Sequence, residues 1–344
     1  MDENRKGCGK MILQSSMSRL AGFIVCLGLC IFLFLASNVY GYANTTWATA
    51  WGAYVHFDAS SEHVIIRDIR LPRALTAVLV GAALAMSGAI MQALTRNPMA
   101  SPGIIGINAG ASFFVVAGVS LLSVSGQSQL VWFAVAGACA AAVSVYLVGS
   151  VGREGMTPLK LTLAGATMTA LFSSFSSAIL VSDEGTLDSV FFWLVGSVEG
   201  RKLENLLPMV PLFLVGYVCA LLLGKAMNVI SVGEDVAKGL GQNTIRVKIV
   251  SLLAVVVLAG GSVAVAGPIG FVGLVIPHIV RGLIGMDYRW IVPYCAVLGP
   301  ILLLAADIAA RFVAYPKEVP VGVMTAIIGA PFFIYLARKE LMPK

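Results

Sequence analysis

Charged side chains are scarce in this sequence. Only 12% of its 344 residues are Asp, Glu, Lys or Arg, whereas 58% are hydrophobic. A water-soluble domain carries about twice that charged fraction, so the composition excludes an ordinary soluble enzyme or binding module. The mean hydropathy of +0.91 indicates instead a chain that lies largely within a lipid bilayer.

Residues that build metal sites and catalytic centres are also few. The chain has three histidines, His56, His63 and His278, and its six cysteines form no Cys-X-X-Cys pair. Most of the cysteines lie in apolar runs, where small apolar packing is the usual role of this residue. No spacing of paired carboxylates, or of Cys and His, indicates catalysis. We therefore expect no metal site, no cofactor and no enzymatic activity.

A phosphate-binding loop is missing as well. The Gly-Lys pairs at 9–10 and 224–225 lack both the preceding glycine and the Ser or Thr that such a loop requires. The chain therefore cannot hold ATP phosphates itself. Asp307 is the only acid inside an apolar run, fewer than an ion-coupled carrier normally needs. Any transport energy is thus expected from a separate ATPase, with a secondary, ion-coupled transporter as the alternative.

Long apolar runs make up most of what is present. A helix needs about 20 apolar residues to cross ~30 Å of hydrocarbon. The third, eighth and tenth runs are short, which indicates helices embedded in a larger bundle, and Leu187–Val195 predicts a short re-entrant or interfacial helix. The candidate spans are residues 20–40, 74–94, 109–124, 130–151, 161–181, 206–223, 247–266, 271–284, 291–313 and 322–337.

The placement of charge predicts the orientation of these spans. With ten alternating helices and a cytoplasmic N-terminus, 16 of the 23 basic residues but only 7 of the 17 acidic ones fall on the cytoplasmic side. This is the direction of the positive-inside rule. Because the first run is longer than a signal-peptide core, we expect it to be retained. The prediction is an all-α polytopic membrane protein with both termini cytoplasmic, a tail over 1–19 and one transmembrane domain over 20–340.

Several ordered motifs resemble one family over roughly residues 20–340. They include Arg70-Leu-Pro-Arg73, Asn97-Pro-Met-Ala100, the Gly/Pro-rich block 267–281 and Glu318-Val-Pro-Val-Gly322. The sequence resembles the FecCD-type permease subunits of type II ATP-binding-cassette importers for iron-siderophores, haem and cobalamin.

This resemblance implies an assembly and a location. Two ten-helix permeases, paralogous or identical, would surround a central pathway in a bacterial inner membrane. Two cytoplasmic ATPases would bind below them, and an extracytoplasmic binding protein would dock above. The expected substrate is an iron-siderophore, with cobalamin or haem as alternatives.

The same resemblance implies a docking role for Arg70, Arg73 and Arg311. In the family, matching arginines receive acidic residues of the binding protein, and guanidinium groups suit this role because they form bidentate bonds to carboxylates. The residues alone leave another interpretation open. Arg311 would then pair with Asp307, four positions earlier on one helix face, and the other arginines would anchor the helix at the interface.

A coupling role falls on residues 233–241, on the predicted cytoplasmic side. Their pattern predicts a short amphipathic helix that ends at Gly241 and carries Val236, Ala237 and Leu240 on one side. The matching family loop is a coupling helix seated on the ATPase, whereas the alternative is an ordinary solvated loop. The candidate residues are Glu234, Asp235, Ala237, Leu240 and Gly241.

Gate and cavity residues are the last expectations. Asn97 and Met99 match family positions that narrow the pathway at the cytoplasmic face, although Asn97-Pro98 by itself predicts only a turn. A second constriction falls near Thr157 and Pro158, where the family often has small hydroxyl residues, so Pro158 departs from the pattern. Hydroxyl groups of the fifth span either line a polar pathway or bond between helices; they are Thr167, Thr169, Ser173 and Ser176.

Overall fold

The computed structural model describes residues 12–341 except 14, 42, 44, 153–156, 315 and 316. Within that part of the chain all regular structure is helical. In chain order the helices are α1 (Ser16–Val39), α2 (Trp47–Val55), α3 (Ser61–Thr95), α4 (Ile107–Leu122), α5 (Gln127–Gly149), α6 (Pro158–Ser182), α7 (Glu184–Val195), α8 (Leu203–Leu222), α9 (Gly224–Val232), α10 (Glu234–Gly239), α11 (Thr244–Ala266), α12 (Val272–Ile284), α13 (Tyr288–Val313) and α14 (Val321–Leu341).

Seven of these helices are long and apolar enough to cross a membrane, namely α1, α3, α5, α6, α8, α11 and α13. Three shorter apolar helices, α4, α12 and the first part of α14, occupy the third, eighth and tenth predicted runs. The predicted helix at Leu187–Val195 is also present, as the C-terminal part of α7. The all-helical class is therefore confirmed, and seven spans are supported by length and composition.

Helix α3 is the central element of the bundle. In its most apolar stretch 83% of residues are buried, and it packs along α12 and α13. A Cβ atom added at Gly88 would overlap the carbonyl oxygen of Gly273, and one at Gly81 would lie 2.7 Å from that of Gly299. These glycines let the helix backbones approach closely, as small residues do between transmembrane helices.

The start of α3 lies 13 residues before the predicted start of the second span. A π-helical segment, Ile65–Arg70, precedes Leu71 and Pro72. Pro72 has no backbone N–H, so the carbonyl of Asp68 loses its α-helical donor, and a wider turn accommodates the change. Hydropathy missed this first part of α3 because it contains Arg67, Asp68 and Arg70.

Helix α1 lies at the edge of the bundle. Only 11% of its most apolar stretch is buried, and its buried residues are the last four, Ala36 to Val39. The helix begins with a capping box in which the Ser15 side chain accepts a hydrogen bond from the backbone N–H of Ser18. Its C-terminal end contacts α3 and α13, where the predicted docking arginines lie.

Candidate functional site

The predicted docking arginines lie together, but they are turned into the protein. Arg70, Arg73 and Arg311 are all buried. Arg73 donates from Nε to Asp307 over 2.9 Å and from Nη1 to Glu318 over 2.5 Å. Nη2 of Arg311 donates to the same Asp307 over 2.5 Å. The structure thus contains the Arg311–Asp307 pair and extends it into a four-residue ion network, of which only Glu318 is partly exposed.

Two of these arginines also hold the end of α1. Arg70 donates from Nη1 to the carbonyl of Val39 over 2.6 Å and from Nη2 to that of Ala43 over 2.7 Å. Arg311 donates from Nη1 to the carbonyl of Ser37 over 2.7 Å. The last carbonyls of a helix lack intrahelical donors and carry partial negative charge. Guanidinium groups from α3 and α13 therefore cap α1 at the place where it leaves the bundle.

The predicted coupling segment forms the six-residue helix α10. Glu234 accepts a hydrogen bond from Lys248 of α11 over 2.7 Å, and this bond holds the pKa of Glu234 below its ordinary 4.5. Ala237 is fully buried, whereas Val236 and Leu240 are exposed. The sequence pattern placed these three residues on one side of the helix, and that prediction is wrong. The Ala237 side chain packs against the rest of the protein, whereas Val236 and Leu240 face outward. Asp235 lies in the first helical turn, and Gly241 has a φ of +77°.

The second predicted gate segment lies beside the C-terminal end of α3, and the first segment follows that end in the chain. The Asn97 side chain accepts a hydrogen bond from the backbone N–H of Met99 over 2.9 Å, which closes the turn after α3. Thr157 caps α6 through a bond from Lys160 N, and Pro158 is the first residue of that helix. Thr157 and Pro158 line a small cavity together with Leu94, three residues before Asn97.

The predicted cavity hydroxyls lie on α6, and two of the four bond to carbonyls of their own helix. Thr167 donates to the carbonyl of Leu163 over 2.9 Å, and Ser176 donates to that of Phe172 over 2.8 Å. Thr167 and Ser173 are exposed, Thr169 is half-buried and Ser176 is buried. In this single chain the hydroxyl groups are thus divided between the surface of α6 and its packed side.

A model of the FecCD transport family matches residues 29–339. The chain belongs to the FecCD transport family. Two relatives from Bacillus subtilis (strain 168) are similar over nearly the full length. "Probable siderophore transport system permease protein YfiZ" is 55% identical over 320 residues, 92% of this chain and 95% of that protein. "Fe(3+)-citrate import system permease protein YfmD" is 46% identical over 326 residues, 95% of this chain and 97% of that protein.

A solved structure supports the same family. It is described as an inward-facing conformation of a metal-chelate type ABC transporter, and it matches with a TM-score of 0.81 at 30% identity. The match covers 93% of this chain and 99% of that one. Together with the apolar helices, the family match establishes this FecCD chain as a multi-pass protein of the bacterial inner membrane.

Sequence reasoning missed two acidic residues of this FecCD chain. Glu318 was read only as part of a motif, yet it forms an ion pair with Arg73 and keeps 20% of its side chain exposed. Glu199 lies in the loop after α7. Enclosure by neighbouring protein, and then the negative charge of Glu318, raise the pKa of Glu199, although it retains exposed surface. The signal for Glu318 was the motif itself, whereas nothing in the sequence pointed to Glu199.

The loop that carries Glu199 is fixed against two other elements. Ser197 N donates to the carbonyl of Ala266 over 2.8 Å, and Gly322 N donates to that of Gly196 over 3.0 Å. Burial lowers the pKa of Arg201 to about 10. Arg201 donates from Nε to the carbonyl of Ser197 over 3.2 Å. The loop therefore places Glu199 within electrostatic reach of Glu318 and Arg73.

Proposed function

We propose that this chain is the membrane-spanning permease subunit of an ATP-driven importer, and that its substrate is an iron–siderophore complex. The names of the FecCD relatives support the substrate class, since they refer to siderophore and ferric citrate transport. The lack of a phosphate-binding loop supports dependence on separate ATPases. Membership of this family does not favour a secondary transporter.

The observation that carries a pathway role is the contrast between α1 and α6. Both are largely unburied in the single chain, with 11% and 17% of their most apolar stretches buried. Helix α1 has the highest mean hydropathy of the seven long helices, which suits lipid, whereas α6 has the lowest and carries exposed hydroxyl groups. An exposed but less apolar helix suits a second permease subunit or a hydrated pathway.

The proposed topology has ten spans with both termini in the cytoplasm. The excess of basic residues on the predicted inner side supports it. At 13 residues α12 is only about 20 Å long, which is shorter than the hydrocarbon core of the membrane. We therefore propose that α12 crosses within the helix bundle, surrounded by other helices. Single cysteines at Lys238 and Asp188, placed in a cysteine-free background, should react only from the cytoplasmic and outer sides respectively. The opposite labelling pattern would contradict this topology.

Docking is proposed to involve exchange of carboxylates at Arg73. Glu318 is the most exposed of the acids that bind the arginine network. An acidic residue of the binding protein would displace Glu318 from Arg73 and replace one charge-assisted bond by another. Such an exchange would let Arg73 bind a carboxylate of the binding protein even though it pairs with Glu318 in the permease alone.

Energy coupling is proposed to pass through α10. Val236 and Leu240 offer exposed apolar contacts to an ATPase surface. Glu234 bonds to Lys248, which belongs to α11 and lies 14 positions further along the chain. A displacement of α10 would therefore be transmitted directly to a membrane helix.

The deciding experiment is uptake by the reconstituted assembly. The permease, its ATPase and its binding protein are placed in liposomes and supplied with labelled ferric siderophores, ferric citrate, cobalamin or haem. We expect uptake that requires ATP and both partners, with a ferric siderophore as the preferred substrate. Uptake by this chain alone under a proton or sodium gradient would refute the proposal, and preferred uptake of cobalamin or haem would refute its substrate.

A further inference from the structure

Helix α2 has an unusual distribution of side chains. Its nine residues, WATAWGAYV, include no charge. Trp51 is 72% exposed, and Trp47 and Tyr54 are about half exposed, whereas Ala50 and Ala53 are buried. On a helix in water the large apolar groups face the protein and polar groups face solvent. Here the exposed face is the aromatic one, and such a surface normally contacts another partner.

The exposed face of α2 continues the bare surface of α1. The ring of Phe32, on the exposed part of α1, stacks on Trp47 with centroids 6.5 Å apart. Tyr40, at the end of α1, packs edge-on against the same indole at 6.2 Å. Since most of the apolar stretch of α1 is unburied and strongly hydrophobic, its natural neighbour is lipid. The aromatic face of α2 is therefore contiguous with a lipid-facing surface.

Charged residues mark where this surface ends. Asp58 follows α2, its carboxylate lies 2.7 Å from Nδ1 of His63, and 63% of its side chain is exposed. The Arg67 guanidinium lies 5.1 Å from the ring centre of Phe57. The chain thus passes from uncharged aromatic residues to charged ones directly after α2. Trp and Tyr favour this boundary, because their rings combine an apolar body with a polar N–H or O–H group.

We propose that α2 is an interfacial anchor that lies in the plane of the membrane surface, with Trp51 inserted among lipid headgroups. Ala50 and Ala53 pack with Val39 and Ile66, so the anchor is fixed to the end of α1 and the start of α3. It would hold in place the same segment whose carbonyls bind Arg70. The inference does not depend on the proposed substrate or on which side of the membrane α2 lies.

A binding protein is the other possible occupant of this face. An uncharged aromatic surface continuous with α1 favours lipid, since the charged network at Arg73 already offers a polar contact for a protein. The two occupants differ in when Trp51 is shielded from water. Lipid would shield it in the permease alone, whereas a protein would shield it only after docking.

The experiment measures the fluorescence of Trp51 in the complete permease reconstituted in phosphatidylcholine liposomes. The difference between wild type and Trp51→Phe gives the signal of this residue. Phospholipids brominated near the headgroup or near the chain end serve as quenchers in the bilayer, and iodide serves in water. Trp193→Phe is the matched control, because Trp193 is only 7% exposed. Its difference signal should respond weakly to every quencher.

We expect the Trp51 signal to be quenched at least about twofold more strongly by headgroup-proximal bromine than by bromine at the chain end. Added binding protein should leave this ratio unchanged. Strong quenching by iodide with none by brominated lipid would overturn the proposal. Protection from iodide that appears only when binding protein is added would also overturn it and would identify α2 as a protein-docking face.

Discussion

Arg73 and Asp307, 234 positions apart in the chain, form a buried ion pair in which Nη2 and Nε of the arginine lie 2.8 and 2.9 Å from the same carboxylate oxygen. Asp307 is completely buried and also binds Arg311. Its single negative charge thus lies between two guanidinium groups, one on α3 and one on α13. The charge of Asp307 therefore links α3 to α13. Through Arg311, which bonds to the carbonyl of Ser37, it also links these helices to the end of α1.

Loss of that charge is expected to destabilise the permease. Asp307→Asn leaves two buried guanidinium groups with too little negative charge, and breaking a buried pair in this way typically costs about 3–5 kcal/mol. The thermal unfolding of the purified protein in lipid should therefore begin at a clearly lower temperature. Asp68→Asn is the control, because Asp68 is exposed. Equal midpoints for the two variants would show that the network contributes little.

Glu318→Gln tests carboxylate exchange at Arg73. If Glu318 competes with the binding protein, its neutralisation should strengthen docking roughly 5- to 10-fold, equivalent to about 1–1.4 kcal/mol. Arg73→Gln should abolish docking. Affinity is measured with immobilised permease, and exposed Glu62 supplies the control variant Glu62→Gln. Weaker docking by Glu318→Gln, with an unchanged unfolding temperature, would contradict the exchange.

The surface of α10 predicts different effects for neighbouring residues. Leu240→Ser removes an exposed apolar contact and should weaken ATPase assembly by roughly 10- to 100-fold, or about 1.5–3 kcal/mol, with the permease itself unaffected. Ala237→Trp should impair both ATPase assembly and the stability of the permease. Ala237 is fully buried, and overpacking costs about 1–3 kcal/mol. Pull-down and thermal unfolding distinguish the two results. Normal assembly with Leu240→Ser would place the coupling surface elsewhere.

Acid should weaken the link between α10 and α11. Because the hydrogen bond from Lys248 lowers the folded pKa of Glu234 below the ordinary 4.5, the stabilisation is complete above that pH and is lost as the pH falls through the folded pKa. Glu234→Gln should reduce stability at neutral pH by less than about 1 kcal/mol, since the pair is partly exposed. Unfolding midpoints of the two proteins should converge as the pH falls below the folded pKa of Glu234. A difference in unfolding midpoint that stays constant with pH would show that the ionised Glu234 carboxylate is not the source of the stabilisation.

The contact of α3 with α12 predicts a strong effect of one methyl group. Gly88→Ala places a Cβ atom against the backbone of Gly273, where no flexible side chain can yield. We expect a loss of more than about 3 kcal/mol, or failure to fold, because helix backbones must separate. Gly28→Ala in α1 is the matched control, since an added Cβ there has no neighbour within 4 Å. The yield of folded protein after detergent extraction measures both.

The sequence alone determined the class and much of the helical order of this protein. Runs such as 130–151 and 161–181 predicted α5 and α6 to within a few residues, and the short third, eighth and tenth runs were recognised as short. These features depend on the length of consecutive apolar residues, which is a property of the chain in one dimension. The start of α3 was missed because its charges interrupt that pattern.

Only the tertiary structure decided how the candidate residues are oriented. Arg70, Arg73 and Arg311 were found from motifs, but their burial and their bonds to Asp307, Glu318 and the end of α1 depend on contacts between distant segments. Ala237 was assigned to the wrong side of α10 because six residues are too few for a helical pattern to fix a face. Hydrophobic length selects helices locally, whereas the direction of a charged side chain depends on which partners the packed bundle brings within reach.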